Sequence, residues 1–366
     1  MKFLIDVHHI GSRATGNETW ARETALAMQE LLATEQSEDE LYFAVAHEAG
    51  RTVGPQNRID QVSTGQVRRL ARDLPRVARQ RHVDALLVQY TAPMVKTSPV
   101  VAIHDLSFAD PASAAWIPPG ERLRMNATIR ISARHAARIL ALSHSTAQDM
   151  IRYWNVNPDK IVIAPPAVAP SFEERVRKRR RELEPKSGGE FVVLMVGNVL
   201  PRKNHIVVTT AIKLLRDRGL PVELRIAGQV PSAGQETAQR LRNCAGDWLT
   251  ITGYLSDDQL IDEYLSADCL CFPSLYEGFG IPVLEAMAVG IPTIVSDATA
   301  LPEAAGDAGI IVPPNDADAW ADALDLVLGD AEVADRLRTA GRQRVSLFSW
   351  GATASHALQA LRYAGG

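Results

Sequence analysis

Glu277 and Glu285 lie eight positions apart on either side of a glycine-broken turn, in the stretch CLCFPSLYEGFGIPVLEAMAVG that runs from Cys269 to Gly290. Cys269 to Phe272 is an apolar run of the length expected for a buried strand. Gly278 and Gly280 then break the chain, so the loop Gly278-Phe279-Gly280 can bring backbone close to a ligand with no Cβ in the way. Pro282 falls at the expected first helical position, Val283 to Val289 continue the helix, and Gly290 closes it as a C-terminal cap. Strand, glycine loop and helix N-terminus make an anion site, because unpaired N–H groups and the helix dipole face one point. An ionised carboxylate can accept both hydrogens of a vicinal diol. Two carboxylates flanking an anion site therefore suit a diphosphate with a diol on either side, which is the layout of a nucleotide sugar. Taken singly, each glutamate could equally offset the helix dipole or sit solvated in the loop. The glycines and Pro282 in register favour the ligand.

The elements that must hold these residues are read from periodicity. Short apolar runs alternate with amphipathic helical patterns along the whole chain, the sign of parallel sheets built from βα units. Strand-like runs fall near 2–7, 41–47, 85–90, 100–104, 139–142 and 161–164, with helical patterns near 17–33, 66–82, 121–138 and 144–154. A second series begins at 191–197 and continues near 222–227, 249–253, 269–273, 292–296 and 309–312. Ser256 with Gln259 reads as a capping box for the helix ending near Ala267. At 366 residues the chain exceeds what one core usually holds. The expected domains are 1–170 and 190–348, with the charged segment 171–189 as linker and a terminal helix over 349–366.

Composition narrows the function classes. A net charge of -4 argues against a general nucleic-acid binder, and 46% hydrophobic with 22% charged residues is ordinary for a globular protein. Cys244, Cys269 and Cys271 lack metal-site spacing and read as small residues in a reducing compartment. The first residues enter a strand directly, and no apolar run approaches the ~20 residues of a membrane span. A cytoplasmic protein is expected, with peripheral contact at the inner face of the membrane left open.

Other candidates sit where strands should end, which is where open α/β sheets bind ligands. Gly16 precedes the first helix, with Asn17 or Thr19 as its cap, and could receive a phosphate; an ordinary strand–helix turn is the alternative. His104 closes the run VVAI. His8 and His9 are further cleft candidates, whereas His135 and His144 read as helix surface or core, and Ser143 reads as a helix cap. Gly197 closes the first strand of the second series, and Arg202 and Lys203 follow in its loop as phosphate-binding cations. Gly228 and Tyr254 follow the next two strands.

These motifs, in this order, resemble those of one family. EGFGIPVLE resembles the Glu-(seven residues)-Glu signature of the retaining GT-B glycosyltransferases of family 4, and IHDLSF, PRKN and LPEAAGDAG resemble its other segments. The resemblance implies two Rossmann-like domains with a cleft between them and a C-terminal helix crossing back to the first domain. It implies a nucleotide sugar as donor, a glycan or lipid-linked acceptor, and no metal or other cofactor, since Arg202 and Lys203 would neutralise the diphosphate. His104 and Glu277 would then act at the reacting sugar, Glu285 on the ribose, and Gly16, Gly197, Gly228, Tyr254, Gly278, Phe279 and Gly280 along the donor. The likeness to bacterial mannosyltransferases of polysaccharide assembly points to GDP-mannose ahead of UDP-sugars. A GT-B nucleotide-sugar epimerase and a non-catalytic nucleotide-sugar binder remain as alternatives. A hydride-transfer enzyme fits poorly, because neither half carries Gly-x-Gly-x-x-Gly at its first turn. The basic pattern Arg68-Arg69-Arg72-Arg76-Arg79 could touch anionic lipid, although a solvated surface is the preferred account of it, as it is of the run from Arg175 to Arg181.

Overall fold

Continuous apolar runs become parallel strands in both halves, because a strand covered on both faces gains from burying every side chain. The computed structural model describes residues 1–12, 15–95, 97, 99–182 and 189–366. The chain divides into two units, Met1–Pro166 with Ser349–Gly366, and Ala167–Phe348.

The first unit carries β1 (Lys2–Asp6), β2 (Glu40–Val45), β3 (Ile59–Gln61), β4 (Ala85–Gln89), β5 (Pro99–Ile103), β6 (Arg138–Ala141) and β7 (Ile161–Ile163). Its helices are α1 (Thr15–Thr34), α2 (Gln66–Arg68), α3 (Leu74–Arg81), α4 (Pro119–His135) and α5 (His144–Trp154). The sheet order is β3-β2-β1-β4-β5-β6-β7, parallel throughout. Leu4, Leu86, Val101, Ile103 and Ile139 fill the core on one sheet face with Leu74, Ile129 and Met150 from the helices.

The second unit runs α6 (Pro170–Glu182), β8 (Phe191–Val196), α7 (His205–Asp217), β9 (Val222–Ala227), α8 (Gln235–Cys244), β10 (Leu249–Ile251), α9 (Asp257–Ser266) and β11 (Cys269–Phe272). It continues with α10 (Ile281–Val289), β12 (Thr293–Ser296), α11 (Leu301–Ala305), β13 (Ile310–Val312), α12 (Ala317–Gly329) and α13 (Ala331–Val345). Its sheet is also parallel, in the order β10-β9-β8-β11-β12-β13. Cys269 and Cys271 are buried core residues of β11. The capping box at α9 forms as expected: Ser256 Oγ accepts from the Gln259 amide at 3.3 Å, and Gln259 Oε1 accepts from the Ser256 amide at 2.9 Å.

The last helix, α14 (Trp350–Gly365), belongs to the first unit. It buries Trp350, Ala354, Ala357, Leu358 and Leu361 and packs along α1. Arg362 fixes it from the far end, donating to Asp39 at 2.8 Å and Glu35 at 2.9 Å.

Four expectations are corrected by the structure. Residues 171–182, expected in the linker, lie in helix α6 of the second unit, because acids on α9 hold that helix: Arg179 forms a two-pronged pair with Asp262, and Arg175 meets Asp257 and Asp258. The rest of the expected linker includes 183–188, which lie outside the described residues. Gly16 does not precede the first helix but sits in its first turn. Pro282 is the second residue of α10, since the helix begins at Ile281. The pattern from Arg68 to Arg79 is not one regular helix. Residues Arg69–Asp73 widen into a π-turn, which rotates Arg69 and Asp73 into the interior while Arg68, Arg72, Arg76 and Arg79 stay exposed. Among the described residues, no helix is long and apolar enough to cross a membrane.

Candidate functional site

In a parallel sheet every strand ends on the same edge, so the loops after β8, β9, β11 and β12 meet one another at that edge. Gly197 follows β8 with φ +130°, a conformation that side chains rarely adopt. Gly228 follows β9, and a Cβ there would stand 2.1 Å from the Gly197 carbonyl oxygen. Neither position tolerates a side chain, and the two loops touch through bare backbone. Lys203 lies against Gly197, with Cε 3.2 Å from where a Cβ would stand. Its ammonium is 2.7 Å from Glu277 Oε1 and sits over the Phe272 ring. Arg202 donates to the same carboxylate oxygen at 2.9 Å and to the Tyr276 carbonyl at 3.1 Å. The Arg202 carbonyl in turn accepts from the Leu275 amide at 2.8 Å.

Two cations and one carboxylate are thus drawn into a nearly closed corner, with Lys203 and Glu277 side chains 12% and 14% exposed. Burial alone would raise the Glu277 carboxyl, but Lys203 and then Arg202 hold it below the ordinary carboxylate range. Burial pushes the Lys203 ammonium down, with Glu277 opposing and Arg202 adding to the fall. His205, the first residue of α7, is buried beside this corner, and burial and the Lys203 charge lower it to about 3. It is neutral at any working pH. Among the described residues, no group of three or more His, Cys, Asp or Glu side chains could hold a metal ion. The positive charges this chain places at the corner are Arg202 and Lys203.

Glu277 is positioned by a residue the sequence does not flag. Thr299 Oγ1 accepts from the Glu277 amide at 2.9 Å and donates to the Glu277 carbonyl at 3.0 Å. Thr299 does so with φ +50°, an outlier for a β-branched residue. Strained backbone of this kind persists only where its surroundings over-determine it. No local pattern in SDATALPE announces it.

Glu285 is held separately. It lies on α10, entered through Gly280 at φ +111°, where a Cβ would come within 2.8 Å of Leu301 Cδ2. Tyr264, fully buried on α9, donates to Glu285 Oε2 at 2.7 Å. Burial raises the Glu285 carboxyl to about 7, against the opposing Tyr264 hydrogen bond and with the Asp257 charge adding to the rise. The folded value lies above the ordinary 4.5. Protonated Glu285 therefore favours the ligand-free fold fully below about 4.5, and that contribution is lost as pH rises through about 7. A diol needs the charged form as acceptor. With GDP or UDP as the test ligand, a diol held by ionised Glu285 should bind about tenfold more weakly per pH unit below that value and level off above it. Calorimetric titrations across this range check it, and Glu285→Gln should flatten the profile. An unchanged slope in that variant would remove Glu285 from nucleotide binding.

The remaining donor candidates divide. Gly278 and Gly280 lie in the expected turn beside Glu277, but the Phe279 ring is buried edge-on against Phe348 at 5.3 Å and is a packing residue. Only its backbone is left as a ligand contact. Tyr254 follows β10 after Gly253 at φ +76°, with its side chain 65% exposed.

The first unit holds its own cluster at the corresponding sheet edge. His104 follows β5, is 5% exposed, and lies between the rings of Trp20 at 5.1 Å and Tyr90 at 5.2 Å. Its Nε2 meets no hydrogen-bond partner. Burial, then the charge of nearby His9, lowers it to about 3, so it is a neutral imidazole. Thr146 donates to the His104 carbonyl at 3.2 Å, and Ser143 caps α5 by accepting from the Thr146 amide at 3.0 Å. Asp6, at the end of β1, pairs with His8 at 3.1 Å and with buried Arg69 at 3.3 Å. Burial would raise Asp6, but His8 and Arg69 hold it below the ordinary range. His8 and His9 stack at 3.9 Å, and burial lowers His9 to about 4. The pairing of Arg69 with Asp6 has no sequence signal, because it depends on the π-turn. Gly16 is exposed in α1 with open space around its Cβ position, so nothing local demands glycine there.

Two family models match the chain: "Glycosyltransferase Family 4" over residues 16–172 and "Glycosyl transferases group 1" over 176–344. O-antigen chain mannosyltransferase B of Escherichia coli is 30% identical over 261 residues, which span 69% of this chain and 66% of that protein. The serotype-specific mannosyltransferase WbdA of the same organism is 30% identical over 291 residues, 76% of this chain and 35% of that one. The chain therefore spans less than two thirds of either relative. Among solved structures, HepE of Anabaena in complex with UDP and glucose is similar at a TM-score of 0.73 and 16% identity, with 99% of each chain covered.

Proposed function

Because this chain belongs to the GT-B glycosyltransferases of family 4, we propose that it transfers a hexose from a nucleoside diphosphate sugar to an acceptor hydroxyl. The transfer retains the anomeric configuration and proceeds without a divalent metal. The observation that carries this reading is the convergence of Arg202, Lys203 and Glu277 beside the bare backbone of Gly197 and Gly228.

In this reading the diphosphate lies against the glycine loops and draws on Arg202 and Lys203, while Glu285 takes the ribose diol and Glu277 a sugar hydroxyl. As the bond from the anomeric carbon to the phosphate oxygen breaks, negative charge grows on the leaving diphosphate. The two cations then stabilise the transition state more than the ground state. The acceptor oxygen bonds to the anomeric carbon on the face the phosphate leaves, and its proton passes to a leaving-phosphate oxygen. His104, held neutral, orients a hydroxyl through Nε2 and does not itself take the proton. Positioning supplies the rest of the acceleration.

The two mannosyltransferase relatives support GDP-mannose as the first donor to try and polysaccharide or glycolipid assembly as the setting. The UDP and glucose bound by HepE keep UDP-sugars second. A panel of GDP-, UDP-, ADP- and dTDP-sugars, each with and without EDTA, tests the proposal by following nucleoside diphosphate release. Release from one donor, unaffected by EDTA and increased by a glycan or lipid-linked acceptor, is the expected result. Loss of activity in EDTA sinks the metal-free account. An epimerised donor formed without acceptor moves the chain to the epimerase alternative, and binding without turnover moves it to a non-catalytic role.

A further inference from the structure

Away from the Glu277 corner, the second unit contains a cavity of about 470 Å³ lined by Phe172, Glu173, Val176, Arg177, Arg180, Arg181, Ala288, Arg342 and Val345. Glu173, Val176, Arg177, Arg180 and Arg181 recur three and four residues apart on α6, so they form one face of that helix. The adjoining face is already spent, because Arg175 and Arg179 pair with the acids of α9. The cationic run therefore splits, two of its arginines serving the fold and three lining a hollow.

The chemistry of the hollow is lopsided. Four arginines and a single carboxylate residue, Glu173, line it above Val176, Ala288 and Val345. Arg180 donates to the Val289 carbonyl, at the C-terminal end of α10. Arg342 reaches over from α13 and stands 3.0 Å from the Cβ position of Gly290. Arg177 and Arg181 form no ion pair among the described residues. Like charges gathered at one point repel unless an anion joins them, and a guanidinium fork matches phosphate oxygens two at a time. All four arginines are exposed at the mouth of this open hollow, and the apolar residues Val176, Ala288 and Val345 lie beneath them. We propose that this pocket binds a phosphate group carried on an apolar substituent, with Arg177, Arg180, Arg181 and Arg342 on the phosphate and Phe172, Val176 and Val345 against the substituent. Such a group is found at the head of an anionic lipid and in soluble phosphate esters. The proposal does not depend on the donor chemistry, since none of these residues belongs to the Glu277 corner.

Full-length chain would be mixed with phosphatidylcholine vesicles, with and without phosphatidylglycerol, and its co-sedimentation compared with R177A/R181A. A second variant, R68A/R72A/R76A, removes exposed arginines of the first unit as a control. In parallel, short-chain soluble phosphatidylglycerol and inorganic phosphate are titrated calorimetrically, counting only binding that R177A/R181A loses. Vesicle association that needs phosphatidylglycerol, falls about tenfold or more in R177A/R181A and survives in the control assigns the pocket to a lipid head. Soluble-phosphate binding lost in R177A/R181A, without vesicle association, assigns it to a free phosphate ester. Absence of both, wild-type binding by R177A/R181A, or equal loss in both variants overturns the proposal. Thermal melting at the wild-type temperature confirms that the variants are folded, and donor turnover on a soluble acceptor should be unchanged in R177A/R181A.

Discussion

Glu277→Ala is expected to destabilise the ligand-free chain by about 3 kcal/mol, the cost of leaving a buried charge without its partner. Lys203 and Arg202 share Glu277 Oε1, and the Lys203 side chain is only 12% exposed. Without the carboxylate, two like charges face each other in a corner that excludes most water. The loss has a ceiling, because burial already pushes the Lys203 ammonium down and the stranded group can shed its proton instead. That gives a pH signature. A group with a depressed carboxylate value adds stability above its unfolded value and loses it as pH falls, so wild type loses the Glu277 contribution only in acid. The variant should instead carry the Lys203 penalty in full at neutral and lower pH and recover at alkaline pH, as Lys203 becomes neutral. Inorganic pyrophosphate should restore much of the loss, since it brings the missing negative charge to the same cations. Denaturant unfolding at pH 7 and 9, with and without pyrophosphate, checks all three effects. Wild-type stability in Glu277→Ala, or equal stabilisation of both chains by pyrophosphate, would show that the ion pairs do not set the charge balance of this corner.

What the sequence discloses follows from where each feature gets its energy. Strands such as Phe191–Val196 and Cys269–Phe272 are legible because both faces are covered and every residue is apolar. The edge strand Ile59–Gln61 has only Ile59 buried, so Asp60 and Gln61 read as loop. Helix α6 misleads for the same reason in reverse. Its stabilising acids stand on α9, 83 positions away, and a chain read in order shows a dense run of cations with few apolar residues. At the site, residue types and strand ends single out Glu277, Glu285, Arg202 and Lys203, since carboxylates and cations there invite chemistry. That Glu277 pairs with both cations, that Thr299 clamps its backbone and that Tyr264 holds Glu285 are long-range facts with no periodicity. The packing of the Phe279 ring against Phe348 is a further long-range fact, and it leaves the backbone of that loop as the part able to meet a ligand.

Lys203→Ala is expected to lower kcat by about 10²–10³, the usual cost of removing one preorganised group from developing charge. KM should change much less, because the ground-state diphosphate keeps Arg202 and the bare amides beside Gly197 and Gly228. The split matters: an interaction made equally with bound donor and transition state would raise KM and leave kcat alone. Lys203 is suited to the transition state because it is confined between Gly197, Phe272 and Glu277 and needs little reorganisation as charge grows. Arg202 is more exposed, at 33%, and is also tied to the Tyr276 carbonyl. Arg202→Ala should therefore cost less in kcat and more in donor affinity. Lys203→Arg should fail to rescue, since a bulkier planar guanidinium would have to fit the nearly closed space between Gly197, Phe272 and Glu277. Steady-state kinetics on the best donor, with dissociation constants for the free nucleoside diphosphate measured separately, distinguishes these effects. A Lys203→Ala enzyme with raised KM and intact kcat would place the lysine in donor binding alone and shift transition-state stabilisation to groups outside this corner.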